Sequence, residues 1–280
     1  MKCFFYIRVG VIALIGIIFL GYPVLNNYLY EKSQAELASY YQKRSENTPK
    51  KERSAQWEKC YEYNSMLLDR DSFLTDPFGS RQPDYDDSQY ESLLNLYGDG
   101  SMGSLEIPGI ADQLIIYHGT DDTTLQNGVG HLRGTSFPVG GTGTHSVLSS
   151  HSGVPDRKLF TNLDQMKKGD VFYLNILGER LTYKVDKISV VLPHEIEDIL
   201  IDPDEDYVTL ITCTPYGINS HRLLVRGTRI TDEEAERSDT EQPKGISTWT
   251  RMYLKKVFVG IAAAAVLELI ILLRRRITNL

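Results

Sequence analysis

Between Leu105 and Ile230 the chain is punctuated so regularly that few folds accommodate it. Short runs rich in β-branched and aromatic residues cover Leu105–Ile110, Leu114–His118, His131–Phe137, His145–Ser150, Val171–Leu177, Leu181–Val191, Tyr207–Thr212 and Leu223–Ile230, with Gly, Pro, Asn and Asp between them. Such runs read as strands. Eight of them separated by turn signals predict a mainly β fold, a closed eight-stranded barrel. Leu177-Gly178-Glu179-Arg180 has the composition of a hairpin turn between the fifth and sixth runs. The spacing of Leu159, Leu163 and Met166 predicts a short helix over Leu159–Lys168, and Leu192–Leu200 predicts a second.

The longest apolar stretches lie at the two ends of the 280-residue chain. Val9–Leu25 carries no charge and, with Phe4 and Phe5, approaches the ~20 residues of a membrane helix. Val257–Leu273 is apolar apart from Glu268, which is costly in lipid and is expected to face a partner helix. Lys2, Arg8 and Arg274–Arg276 on the outer flanks predict cytoplasmic termini at a cell membrane and an extracytoplasmic middle, although Lys255 and Lys256 also flank the second run on its inner side. Residues 1–28 are read as an uncleaved anchor, because the small-residue cleavage candidate Ala35-Glu-Leu-Ala38 lies well beyond the apolar run. Residues 253–276 form a second anchor after a polar linker over 233–252.

Residues 29–70 favour helix, broken at Pro49, and predict an amphipathic pair carrying Tyr40 and Tyr41, then Trp57, Tyr61, Asn64, Met66 and Leu68. Residues 71–104 read as a long loop with one short helix at Gln89–Tyr97. The charge balance, 30 Lys and Arg against 37 Asp and Glu, argues against a nucleic-acid surface. Cys3 is in the first apolar segment, so Cys60 and Cys213 are the only pair available to an exported disulfide, and a disulfide framework is not expected. The cysteines and histidines lack zinc-ligand spacing and there is no phosphate-cradling glycine loop, so neither metal nor cofactor is expected.

Val208, Leu210 and Thr212 alternate with Thr209, Ile211 and Cys213, which puts Cys213 at a strand end. Pro215, Gly217 and Asn219 supply turn chemistry, and Arg222 opens the next run. A thiol and a guanidinium then share one mouth. The thiolate is the nucleophilic form of cysteine, and a cation that cannot lose its proton stabilises it or a developing oxyanion. On these residues alone Cys213 is equally a small buried hydrophobe and Arg222 a solvated strand residue. Of the six histidines, His151 follows the apolar Ser146-Val-Leu148 and precedes Gly153-Val-Pro155, at a strand's exit into a loop. Histidine suits proton transfer near neutrality. His145 is the closest rival, read as a strand histidine bonded internally.

Thr209-Leu-Ile-Thr-Cys213 followed by Arg222 resembles the T-L-x-T-C…R signature of the sortases, membrane-anchored cysteine transpeptidases of Gram-positive bacteria. The likeness runs from about Leu105 to Ile230 and includes Ile107-Pro-Gly, Tyr117-His-Gly-Thr, Gly128-Val-Gly-His-Leu, Pro138-Val-Gly-Gly, Thr144-His-Ser-Val-Leu-Ser-Ser-His151 and Leu192-Pro-His-Glu. Thr75-Asp-Pro-Phe78 resembles the lid motif of class C, the pilin-polymerising branch. The resemblance implies a catalytic barrel over 105–232, with Cys213 as nucleophile, His151 as proton carrier and Arg222 as oxyanion and substrate partner. Ser152 stands where an arginine is common. It implies a lid within 71–104, in which Asp76 approaches Arg222 at a solvent-facing mouth and Phe78, the stronger latch, covers Cys213.

The activity implied is cleavage of an LPXTG-like sorting signal through a thioacyl-enzyme, followed by transfer to a pilin lysine. The implied partners are pilin subunits with C-terminal sorting signals, and membrane lipid through both anchors. A sortase attaching surface proteins to cell-wall peptide, a cysteine protease, and a membrane-displayed barrel that only binds stay open beside it.

Overall fold

The computed structural model describes residues 2–68, 74–79, 88–108, 110–237 and 247–278. Much of the predicted linker, 238–246, and the stretches 69–73 and 80–87 of the predicted loop lie outside these residues. Eight strands form a closed barrel: β1 (Ser101–Ile107), β2 (Ala111–His118), β3 (Val129–His131), β4 (Thr144–Ser149), β5 (Val171–Ile176), β6 (Glu179–Val191), β7 (Asp206–Thr214) and β8 (His221–Ile230). Around the barrel they run β1-β2-β3-β4-β7-β8-β6-β5, with β5 returning to β1. The β2/β3 and β4/β7 pairs are parallel and the others antiparallel. Closure leaves no unpaired sheet edge.

Alternation splits the buried side chains into two clusters. Leu105, Leu148, Phe172, Leu174, Leu210 and Val225 belong to the main core. Leu132, Val147, Ile199, Ile211 and Leu224 form a second, smaller cluster from the opposite face of the same sheet region.

Leu177 and Gly178 turn the β5–β6 hairpin with both φ positive, 49° and 83°, the geometry that matches the twist of paired strands. Strand β1 starts at Ser101, inside the stretch predicted as loop. Gly103 hides it: a Cβ there would sit 2.4 Å from the Asn175 carbonyl, so close approach of β5 demands glycine in mid-strand. The third strand ends at His131 instead of Phe137, because Leu132 turns into the smaller cluster and Phe137 into the main core. Leu159–Lys168 is irregular apart from a 3₁₀ turn at Leu163–Gln165; Leu159, Leu163 and Met166 are buried, so their spacing reflects packing and not an α-helix. Leu192–Leu200 similarly contains only a 3₁₀ turn, Glu197–Ile199.

Six α-helices surround the barrel among the described residues: α1 (Lys2–Asn47), α2 (Lys50–Leu68), α3 (Ser88–Ser92), α4 (Asp122–Asn127), α5 (Asp232–Arg237) and α6 (Thr248–Thr278). Neither α4, whose Thr124 N–H is capped by Asp121, nor α5 was signalled by apolar periodicity. The first apolar run and the polar segment after it form one 46-residue helix through Pro23. Gln34 on α1 accepts from the Ile115 N–H and donates to the Asn127 carbonyl. On α2, Cys60, Tyr63, Asn64 and Leu67 are buried, whereas Tyr61, Met66 and Leu68 are exposed. The α6 end docks through Trp249, whose N–H donates to Asn162 Oδ1 at 3.0 Å. Among the residues whose side chains are described, no helix is long and apolar enough to cross a membrane.

Asn64 ties α2 to the barrel with a two-way bond, accepting from the Phe137 N–H at 2.7 Å and donating to the Phe137 carbonyl at 3.2 Å. Asn64→Leu strands both backbone groups in a dry site at about 1–3 kcal/mol each. The urea midpoint is expected to fall by an amount equivalent to roughly 2–6 kcal/mol; an unchanged midpoint would show that α2 is not part of the cooperative unit.

Candidate active site

The register around β7 builds the site. Cys213 stands directly opposite Arg222 on β8. On its other edge β7 runs parallel to β4, with Ser149 opposite Ile211. Two residues beyond each of these are His151 and Cys213. Side chains two apart share a face, so His151, Cys213 and Arg222 project beside the smaller cluster of Val147, Ile211 and Leu224, on the outside of the barrel. The loop leaving β4 is fastened to β7: the Ser150 N–H donates to the Ile211 carbonyl, Thr212 Oγ1 to the Ser150 carbonyl, and Ser152 Oγ to the Cys213 carbonyl at 2.7 Å.

A turn over Asp76–Gly79 lies across this face, closed by the Gly79 N–H bonding the Asp76 carbonyl. Asp76 takes Arg222 in a fork: Nε donates to Oδ1 at 2.8 Å and Nη2 to Oδ2 at 2.6 Å. Nη1 donates to the carbonyls of Asn219 and His221. All three guanidinium nitrogens are therefore occupied within the protein. The ring of Phe78 lies 5.7 Å from that of His151 and 5.1 Å from the Arg222 guanidinium carbon. Leu74 and Phe78 pack on the smaller apolar cluster, so the turn is a roof with a greasy underside. The ion pair was expected at a solvent-facing mouth. Its side chains are instead only 11% and 17% exposed.

Burial pushes the Cys213 thiol above its ordinary pKa; Arg222 pulls it down and Asp76 pushes it up again. Burial lowers His151, with Asp122 opposing. Under the closed roof the pair therefore rests as thiol and neutral imidazole near neutral pH. Burial disfavours the Arg222 charge, but its bonds to Asp76 and the nearby Cys213 outweigh this and raise its pKa.

The remaining histidines are placed elsewhere. His145 is 1% exposed; its Nδ1–H donates to the Leu200 carbonyl and its Nε2 accepts from the Thr209 hydroxyl, and burial drives its pKa down to about 4. His131, stacked on Phe137, is lowered to about 3 by burial. His118 is held between the Gly100 and Leu93 carbonyls. His194 is exposed in a turn, and His221 Nδ1 lies 2.8 Å from Ser220 Oγ. Cys60 is buried and free, with a thiol pushed up to about 12 by burial. The parts that sequence reading missed are Leu74, an apolar residue just ahead of the Asp-Pro turn, the two carbonyls that hold Nη1, and the bond from Ser152, marked only by its departure from the family pattern.

A family model for the sortase domain matches residues 105–230. Streptococcus pneumoniae Sortase C, whose crystal structure was described for insights into catalysis and pilin substrate specificity, is 42% identical, with a TM-score of 0.65 over 70% of this chain and 97% of that one. Sortase C-1 from Actinomyces oris is 47% identical, with a TM-score of 0.60 over 64% of this chain and 99% of that one. Sortase D of Bacillus subtilis is 30% identical over 132 residues, 46% of this chain, and the match spans 64% of that relative's length.

Asp76→Asn removes the carboxylate that raises Cys213 and releases Arg222, which lowers it. The pH profile of Cys213 alkylation is expected to move to lower pH and the plateau rate to rise; superimposable profiles would separate Asp76 from the thiol.

His131 and His145 bind protons more weakly folded than unfolded, where their pKa is near 6.5. The stability of keeping them neutral is complete above about pH 6.5 and is lost as pH falls towards 4 and 3. In urea melts across this window, His145→Gln should flatten the decline by up to about 1.4 kcal/mol per pH unit, the worth of one proton. An unchanged slope would mean that His145 charges in the native state.

Proposed function

We propose, from the premise that this chain belongs to the sortase family, that it is a class C transpeptidase joining pilin subunits through an LPXTG-like sorting signal. The reading rests on one observation: Asp76 and Phe78 lie together across Arg222 and His151, at the strand end that carries Cys213. This arrangement gives a nucleophile, a proton carrier and a fixed cation, all held in check until the roof lifts.

Withdrawal of Asp76 frees Arg222 Nε and Nη2 for the scissile carbonyl. His151, neutral at rest, takes the Cys213 proton as Sγ attacks the threonine carbonyl carbon of the sorting signal. The negative charge that develops on the carbonyl oxygen is met by Arg222. His151 then gives its proton to the leaving glycine nitrogen, the C–N bond breaks, and a thioester to Cys213 remains. A pilin lysine amine attacks the thioester, an isopeptide bond forms, and Cys213 is regenerated with a proton from the incoming amine. Water in place of lysine gives hydrolysis.

The runs Val9–Leu25 and Val257–Leu273 are read as membrane anchors that hold the barrel at the extracytoplasmic face. Their basic outer flanks and the exposed Ile17, Phe19, Phe258 and Val259 support this.

Cys213→Ala is expected to abolish thioacyl formation with a sorting peptide, whereas His151→Ala and Arg222→Ala each lower it by about 10²–10⁴-fold. His145→Gln retains most of it. Mass spectrometry of the product with a lysine-bearing pilin domain should show an isopeptide. Preference for a cell-wall peptide amine would favour the surface-protein attachment reading, hydrolysis alone the protease reading, and cleavage by Cys213→Ala would refute the sortase mechanism altogether.

A further inference from the structure

A groove of about 530 Å³ opens between α1 and α6. Its walls are Phe19 and Pro23 from α1, Val257 and Ile261 from α6, and, at one end, Pro155 and Tyr216. Pro155 belongs to the loop after His151 and Tyr216 to the loop after Cys213. Tyr216 bridges the two loops: its ring lies against Gly153, where an added Cβ would come within 3.3 Å, and its hydroxyl donates to the Gly153 carbonyl at 3.4 Å.

The chemistry of the groove is graded. Its deep part is aliphatic and continuous with the outward faces of both helices, where Ile17, Ile18, Phe258, Val259 and Ile261 are each 60% exposed or more. Its upper end is aromatic, with Trp249 and Tyr253 stacked at 5.6 Å. At the same level Lys256 Nζ sits 5.7 Å over the Tyr216 ring, and Ile218, on the same loop as Tyr216, is 72% exposed. An aliphatic wall closed at one end by aromatic rings and a cation matches an acyl chain below the interfacial region of half a bilayer.

We infer that this groove holds one anionic phospholipid, its acyl chain between α1 and α6 and its phosphate on Lys256, placed against the loops that leave His151 and Cys213. The assignment rests on the anchor reading given above. A neutral lipid satisfies the aliphatic wall equally well, so Lys256 selects the head group. Gly16 and Gly260 line the same groove with open space at their Cβ positions, so a large side chain there fills it without disturbing a neighbour.

The full chain is reconstituted in vesicles of phosphatidylcholine, with or without phosphatidylglycerol, containing a trace of either lipid bearing a diazirine on its acyl chain. Flotation is measured first, then photolabelled peptides are mapped. The expected result is flotation in both vesicle types and labelling by phosphatidylglycerol concentrated on the groove residues Phe19, Val257 and Ile261. Lys256→Gln should reduce phosphatidylglycerol labelling about fivefold, the fold-change matching ~1 kcal/mol for one surface lysine, and leave phosphatidylcholine labelling unchanged. Gly260→Trp should remove groove labelling by both lipids while flotation persists.

Flotation with labelling spread evenly along α1 and α6, or insensitive to both variants, would overturn the lipid site and leave the anchors standing. Equal labelling by the two lipids in wild type would overturn head-group selection by Lys256. Crosslinking of the groove to a second copy of the chain in place of lipid would reassign it as a helix interface. A wild-type chain that fails to float would overturn the anchors, and the lipid site with them.

Discussion

Strand β7 is hydrogen-bonded along both edges, parallel to β4 and antiparallel to β8, and the positions of His151, Cys213 and Arg222 follow from these two registers. The first carries the chain from Ser149 opposite Ile211 to His151 beside Cys213, and the second sets Cys213 opposite Arg222. A one-residue slip of β7 would turn Cys213 into the barrel and bring Thr212 or Thr214 to the outer face. That slip is opposed from both sides, because Leu210 would leave the main core as Ile211 entered it. The packing of the barrel thus fixes which residues meet at this strand end.

The roof is held by two unlike forces. Phe78 and Leu74 cover an apolar cluster that would otherwise meet water, while Asp76 meets a guanidinium whose other nitrogen is already spent on carbonyls. Removing the roof exposes the first and leaves the second with a charge to be shared with whatever enters. A substrate carbonyl is a natural replacement for the carboxylate, because it supplies acceptor electrons without a formal charge. Burial raises the Cys213 thiol most, and Asp76 adds to that while Arg222 opposes it.

The barrel was legible because strand alternation and turn residues are local signals, and the closing order of the strands agrees with eight short runs. Strand ends were less legible. Gly103 concealed the start of β1, since the clash that requires it comes from Asn175, far along the chain. Leu159, Leu163 and Met166 counterfeited a helix because burial at helical spacing needs no helical backbone. In the site, residue order put Cys213 and Arg222 at one mouth and the family resemblance singled out His151, whereas the use of Ser152 on the Cys213 carbonyl and the burial of the Asp76–Arg222 pair depend on contacts between segments that sequence spacing does not encode.

The 46-residue α1 helix has a mechanical consequence. From Asn26 to Asn47 it rises about 33 Å, and along that length it is lashed to the barrel: Asn26 to Asp156, Asn27 to the Lys158 N–H, Gln34 to β2, and Tyr41 to the Ser101 carbonyl. The lowest of these fastenings fall on the loop that follows His151, one residue after the apolar run ends at Leu25. The barrel is thus not a bead on a string but a head bolted along its own mast. Reach is then a property of the incoming polypeptide, because the barrel cannot swing away from the helix that holds it.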